Sequence, residues 1–293
     1  MKIALLGASG FIGRYLKRAL RAADHDLTFI LREGFNKPVT DFCAEYIDYH
    51  DVVINLCGAP LSKRWNETYK QELLDSRILT TRKITEAILY ASNPPKTFIN
   101  ASSVGIYNDE KTQTEDSQAF ADNFLGKLCQ VWEAEAMMAN EMCRVVILRI
   151  GLVLAKDEGT LKKMMPPFRS GIGATVGNGN QGVSWIHIDD LTEIFLFVIN
   201  HPEIQGILNA VGENPTDNFH FSEMLGKMYG QPVYFSIPRF ALKLIYGEGA
   251  QVLIDGQRVI PEKLLKSGFQ FQHPTLTKAL VDLYKKQPSQ GSI

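Results

Sequence analysis

Three glycines, Gly7, Gly10 and Gly13, carry the sharpest chemical signal in this chain. Spaced G-x-x-G-x-x-G, they follow an apolar run ending at Leu6 and precede apolar residues at helical spacing: Phe11, Ile12, Tyr15, Leu16, Ala19 and Leu20. A strand, a tight turn and a helix start in that order form a pyrophosphate cradle. Gly7 takes up the turn, Gly10 lets a phosphate approach the backbone, and Gly13 lets helix and strand pack closely. The free N–H groups of Phe11 and Ile12, at the positive end of the helix dipole, face the anion. The expected ligand is a dinucleotide, with Ser9 and Arg14 beside it as further phosphate contacts.

Which dinucleotide depends on Arg32, directly after the second strand. In such folds an acid there binds a ribose 2′-hydroxyl, whereas an arginine accepts a 2′-phosphate. Arg32 favours NADP over NAD; against it stand Glu33 next door and the reading of a solvated loop arginine. After the third strand, Leu56, Gly58 and Ala59 form a small-residue turn expected to line the cofactor, and Cys57 between them reads as a packed thiol. Lys63-Arg64-Trp65 has two readings: a grip on an anionic or aromatic substrate part, or a solvated helix entry with Trp65 closing the core. His187, between two isoleucines, reads as structural more readily than as a general base.

The elements that position these residues alternate strand and helix. Strands are expected at 26–31, 52–56, 97–100 and 144–150, the last continuing to 154, with helices over 67–91 and from 118 or 122 to 140. Between Glu33 and His50 one strand–helix unit looks abbreviated. Residues 155–182, rich in glycine and carrying Pro166-Pro167, read as an excursion that covers the cofactor. The chain returns at 184–190 and enters a helix to about 200. The expected architecture is α/β, a doubly wound parallel Rossmann sheet over 1–200 with a smaller α/β lobe over 201–293 on the substrate side. That lobe begins with a strand at 207–211, followed by helices and strands at 221–229, 233–237, 239–246 and 276–283, and 287–293 reads as a frayed end.

Composition narrows the partners. At 293 residues, 45% hydrophobic and 22% charged, the chain is built like a globular protein with a sizeable core. A net charge of −1 gives no electrostatic case for nucleic acid or a membrane surface, so a small-molecule substrate between the lobes is expected. No apolar run is long enough to cross a bilayer, and a strand starting at Lys2 leaves no room for a signal peptide; the cytoplasm is the expected location. Four cysteines without C-x-x-C spacing suggest neither a zinc site nor disulfides, and no metal is expected.

The glycine spacing resembles that of extended short-chain dehydrogenase/reductases, and so does Ala101-Ser102-Ser103-Val104-Gly105-Ile106-Tyr107 after the fourth strand. The resemblance places Ser103 at the catalytic serine, with Ala101 and Ser102 along the cofactor. Those enzymes carry Y-x-x-x-K on the following helix, a tyrosine acid/base with a lysine one turn on. Here Leu125 and Cys129 stand in those places, and Lys127 lies on the opposite helix face. Tyr107 is the expected substitute proton donor.

Further stretches extend the likeness: N-L-C-G-A-P at 55–60, K-R-W at 63–65, S-R at 76–77, F-L-G-K-L-C-x-x-W-E at 124–133, W-I-H-I-D-D at 185–190 and G-Q-R-V-x-P at 256–261. Together they resemble the YfcH-like "epimerase family" branch of atypical short-chain dehydrogenases, NAD-dependent epimerase/dehydratase-like chains with their own C-terminal domain, over essentially the whole length. The resemblance implies an NADP-dependent oxidoreductase or sugar-nucleotide epimerase-like enzyme without the Tyr-x-x-x-Lys pair. A non-catalytic NADP-binding or sensing protein is the alternative, and thiol chemistry at Cys129 a third reading.

Overall fold

Parallel strands buried on both faces need unbroken apolar runs, and the chain supplies them. The computed structural model describes residues 1–156 and 158–285, and the end expected to fray, 287–293, lies outside them. β1 (Lys2–Leu6) leads through the glycine turn to α1 (Phe11–Ala22) and β2 (Asp26–Ile30). The abbreviated unit is a 3-10 turn (Arg32–Asn36) and a short helix, α2 (Val39–Tyr46), with no strand of its own. It packs fully nonetheless, because Phe42, Cys43 and Ile47 all face inward. β3 (Val52–Asn55), α3 (Glu67–Tyr90), β4 (Thr97–Ser103), the short β5 (Thr112–Gln113), α4 (Phe124–Met137) and β6 (Arg144–Ile150) follow.

Next come β7 (Leu152–Leu154), α5 (Gly159–Arg169), β8 (Ala174–Val176), β9 (Gly182–Val183), β10 (Trp185–His187), α6 (Ile188–Asn200) and β11 (Gly206–Ala210). The remainder holds β12 (Thr216–Asp217), α7 (Asn218–Lys227), β13 (Phe235–Ile237), α8 (Arg239–Tyr246), α9 (Gln251–Ile254), β14 (Arg258–Val259), α10 (Glu262–Lys266) and α11 (Leu276–Lys285).

Six strands form one parallel sheet in the order β11-β6-β4-β3-β1-β2. Strand order reverses between β1 and β3, which opens a crevice at their carboxyl ends where ligands bind in such sheets. One face of the sheet packs on α1, α6 and the late residues Leu264, Phe269 and Phe271; the other packs on α2, α3 and Ala136 of α4. The 207–211 strand, expected in the second lobe, is instead the outer strand of this sheet. Its register against β6 (Leu208 on Leu148, Ala210 on Ile150) sends Leu208 and Ala210 into the main core.

The excursion also differs from a plain loop: α5 forms through Pro166 and Pro167, burying Leu161, Met165 and Phe168 at helical spacing. Two-stranded pairs tie late segments to early ones, β13 to β8, β12 to β9 and β14 to β5. Among the described residues no helix is long and apolar enough to cross a membrane.

Candidate active site at the sheet edge

The glycine turn has the conformation its spacing predicts. Gly7 sits at φ +76°, a left-handed conformation that strains other residues, and its carbonyl accepts Gly10 N–H at 2.9 Å. A Cβ on Gly13 would drive into that same carbonyl, so glycine is what allows α1 to lie this close to β1. Gly10 is the N-cap of α1; no side chain bonds the helix end, and its first turn carries no acid. The first intrahelical bond is Arg14 N–H to Gly10, which leaves the N–H groups of Phe11, Ile12 and Gly13 for an outside acceptor. Anion chemistry and residues therefore fit at this end.

Around the turn the structure gathers the other expected contacts. Arg32 opens the 3-10 turn after β2, exposed, with no hydrogen bond or ion pair on its guanidinium among the described residues. Arg14 donates to the Ser9 carbonyl at 2.7 Å and forms an ion pair with Glu158, at the start of α5. Gly159 packs so closely on Phe11 that a Cβ there would meet the ring at 2.8 Å, while Lys163 donates to Ser62 Oγ at 2.7 Å. Thus α5 spans from the glycine turn to the loop after β3, across the crevice.

That second loop is clamped from α3. Ala59 N–H donates to Ser76 Oγ at 2.9 Å, and Arg77 Nη2 donates to Ala59 O at 3.0 Å. Both backbone polar groups of Ala59 are thereby used, so it meets a ligand only through its methyl. Gly58 is exposed on its outer side, and on its inner side a Cβ would lie 2.9 Å from the Arg77 guanidinium carbon. The sequence signal for Arg77 was its register. It falls on the buried stripe Leu73, Thr81, Ile84 and Ile88 of α3, where a cation is out of place. Cys57, pushed up to about 11 by burial, is a protonated thiol. Trp65 closes the core, its Nε1 bonded to Leu61 O at 3.0 Å and its ring edge-on to Phe124, which resolves the Lys63-Arg64-Trp65 alternatives toward packing.

At the end of β4 the two serines part company. Ser102 is buried and donates to Glu133 Oε1 at 2.6 Å, so its hydroxyl is not offered to a cofactor. Ser103 is half-buried and its Oγ accepts Gly105 N–H at 3.1 Å, an arrangement that leaves its own proton for a ligand. Tyr107 turns inward. Fully buried, its hydroxyl donates to Asn209 Oδ1 at 2.9 Å and accepts from Arg149 Nη1 at 2.7 Å, and burial raises its pKa. The proton-donor role expected of Tyr107 is at odds with this placement. A spacing of four residues from Ser103 does not reveal that the 3-10 turn Val104–Ile106 folds the tyrosine beneath the sheet edge.

The tyrosine and lysine positions of α4 are apolar and closed. A Cβ on Gly105 would strike Leu125, and Cys129 is buried, its thiol pushed up to about 12 by burial first and by Glu133 second. Thiolate chemistry does not fit that environment. Glu133, one turn beyond Cys129, is bound twice by Arg149, Nε to Oε1 at 2.9 Å and Nη2 to Oε2 at 2.6 Å. From Ser102 through Glu133, Arg149 and Tyr107 to Asn209 the polar chain is continuous, and Asn209 N–H goes on to buried Glu115 at 3.0 Å.

His187 ends β10. Its Nδ1 accepts Asp189 N–H at 3.1 Å as the cap of α6, and its ring stacks on His273 at 3.7 Å and 26°. One candidate ligand atom from each of His187, Asp189, His273 and Asp282 falls within 4.8 Å of the others. Stacked rings share no in-plane point from which both could bind one ion, so the group as arranged does not fit a metal. Beside it Asp190 fastens the chain, accepting the N–H groups of Gln272 at 2.7 Å and His273 at 3.1 Å.

Residues 3–210 match the family model described as the NAD dependent epimerase/dehydratase family, and residues 237–283 match a domain of unknown function, DUF1731. "Epimerase family protein ML0860" of Mycobacterium leprae is 39% identical over 290 residues, spanning 95% of this chain and 94% of that protein. "Epimerase family protein SDR39U1" of Mus musculus is 35% identical over 97% and 99% of the two chains. The crystal structure of human epimerase family protein SDR39U1 (isoform 2) with NADPH superimposes with a TM-score of 0.90 at 31% identity, covering 98% of this chain and 100% of that one.

Proposed function

This chain belongs to the NAD dependent epimerase/dehydratase family, and we propose that it is an NADP-dependent oxidoreductase acting on a small carbonyl or hydroxylated substrate between the Rossmann sheet and the C-terminal lobe. The observation that carries this reading is the convergence on one crevice of an uncapped α1 N-terminus, an unengaged Arg32 and a half-buried Ser103. The relative crystallised with NADPH supports the choice of cofactor. Arg32 takes the adenosine 2′-phosphate, the first turn of α1 takes the pyrophosphate, and Gly58 and Ala59 support the sugar side of the ligand.

When bound, NADPH supplies a hydride. Ser103 hydrogen-bonds the substrate carbonyl oxygen, gives up its proton as that oxygen becomes an alkoxide, and is reprotonated by water at its exposed side. Leu125 and Cys129 contribute a dry wall and no proton.

The test is a titration with NADPH and NADH followed by nicotinamide fluorescence, in the wild type and in Arg32→Ala. The expected result is NADPH-selective binding that weakens about tenfold or more in the variant, the worth of a charge-assisted phosphate contact. Binding of neither nucleotide would overturn the reading. Binding without turnover across a carbonyl panel would favour a sensor.

A further inference from the structure

The crevice floor holds two buried arginines that differ in one respect. Arg149 is neutralised by Glu133. Arg77, 8% exposed, has only carbonyl partners, Ala59 O at 3.0 Å and Leu73 O at 3.3 Å, and its guanidinium lies 5.2 Å from the Trp132 ring. Among the described residues no carboxylate acts on its charge, and its titratable neighbours are the Cys129 thiol and the Tyr69 phenol. A cation withdrawn from water without a counter-charge is costly, so a fold that keeps one puts it where negative or electron-rich matter will come.

Resting on the cofactor reading above, we propose that Arg77 supplies from α3 the fixed positive charge that the Tyr-x-x-x-Lys lysine would supply from α4. The Leu125 and Cys129 departure is then a relocation of charge, not its loss. Arg77 touches no reacting atom: its charge acts through space, from beneath the Gly58–Ala59 turn that it braces. Three neighbours locate the charge. It abuts the inner side of Gly58; it lies over the ring of Trp132, one turn along α4 from Cys129; and its field reaches the Cys129 thiol, which sits beside Ser102 and Ser103. The guanidinium therefore lies between the turn after β3 and the serine end of β4, below the place where a nicotinamide would lie in this fold.

A fixed cation there has a specific consequence. The oxidised nicotinamide ring is positively charged and the reduced ring is neutral, so Arg77 favours NADPH over NADP+. A purely structural arginine would affect both equally, because the rest of the ligand is the same.

The experiment measures dissociation constants of NADPH and NADP+ for the wild type, Arg77→Met, Arg77→Lys and the double variant Arg77→Met/Cys129→Lys, with thermal melts to establish folding. The preference for NADPH is expected to fall about tenfold in Arg77→Met, to persist in Arg77→Lys, and to return in the double variant, where the cation stands again on α4. An unchanged preference in Arg77→Met, with both constants moving together, overturns the proposal and leaves the cofactor reading intact. Should Arg77→Met fail to fold, the double variant decides: folded with the wild-type preference it supports relocation, and folded without that preference it refutes it. Failure of the wild type to bind either form removes both readings.

Discussion

Arg149 and Glu133 meet inside the protein as a two-point ion pair, Nε on Oε1 at 2.9 Å and Nη2 on Oε2 at 2.6 Å, with side chains 2% and 9% exposed. Their remaining polar atoms are met by Ser102 and Tyr107. The pair joins α4 to β6 one turn beyond Cys129.

Breaking one side of such a pair leaves a buried charge alone. Glu133→Gln and Arg149→Met are each expected to cost about 3–5 kcal/mol, with the double replacement Glu133→Leu/Arg149→Met less damaging than either. Urea denaturation of the three variants checks this; singles within 1 kcal/mol of wild type would contradict the geometry.

The two hydroxyls on either side of the 3-10 turn should separate cleanly. Ser103→Ala is expected to lower kcat/KM about a hundredfold while leaving stability nearly unchanged. Tyr107→Phe strands Arg149 Nη1 and Asn209 Oδ1, and should cost about 1–3 kcal/mol of stability while the folded fraction stays active. Parallel melts and initial rates on a substrate from the carbonyl panel compare the two; a large rate loss in stable Tyr107→Phe would return the proton to Tyr107.

Gly58 is glycine on account of Arg77. A methyl at Gly58 would lie 2.9 Å from the Arg77 guanidinium carbon and 3.0 Å from Nη2, with the guanidinium held by Ala59 O. Gly58→Ala should destabilise by about 1–3 kcal/mol, and less in an Arg77→Ala background, where the space is open. A double-mutant cycle measures the coupling; zero coupling would break the link between the two residues.

His50 gives stability a pH dependence. Its ring nitrogens meet Thr28 Oγ1 at 2.8 Å and Asp48 O at 3.2 Å, and burial pulls its pKa below 6.5. As pH falls through 6.5 the unfolded chain takes up the proton first. The contribution is thus complete above 6.5 and is lost between there and the lower folded value. His25 is shifted the same way, so His50→Asn should flatten this slope only in part. Urea midpoints at pH 7.5 and 5.5 test it; an unaltered slope in the variant would remove His50 from the account.

Local pattern made the glycine turn, the strand runs and the helix over 67–90 readable, because each is written in neighbouring residues. What escaped depends on partners far along the chain. Glu133 is 16 residues from Arg149, but Tyr107 is 102 from Asn209, and nothing near Tyr107 reveals a carboxamide waiting below the sheet. The strand 206–210 was visible as a strand, while its sheet was not, since pairing with β6 is settled by packing across the intervening excursion. Arg77 was legible in principle as a charge on an apolar stripe, a conflict between local preference and buried position that marks a functional spot.

Leu264, Phe269 and Phe271 lie in the same core as Ile3 and Leu5, and Asp190 holds the backbone just beyond them. Within that core α10 packs on β11, the last strand to join the sheet, and Phe269 meets Phe197 of α6, so the residues that finish this layer leave the ribosome last. A nascent sheet in this protein must wait with that end open, and premature truncation before Phe271 yields a chain exposing the greasy side of its youngest strand and of α6 to whatever chaperones or neighbours are at hand.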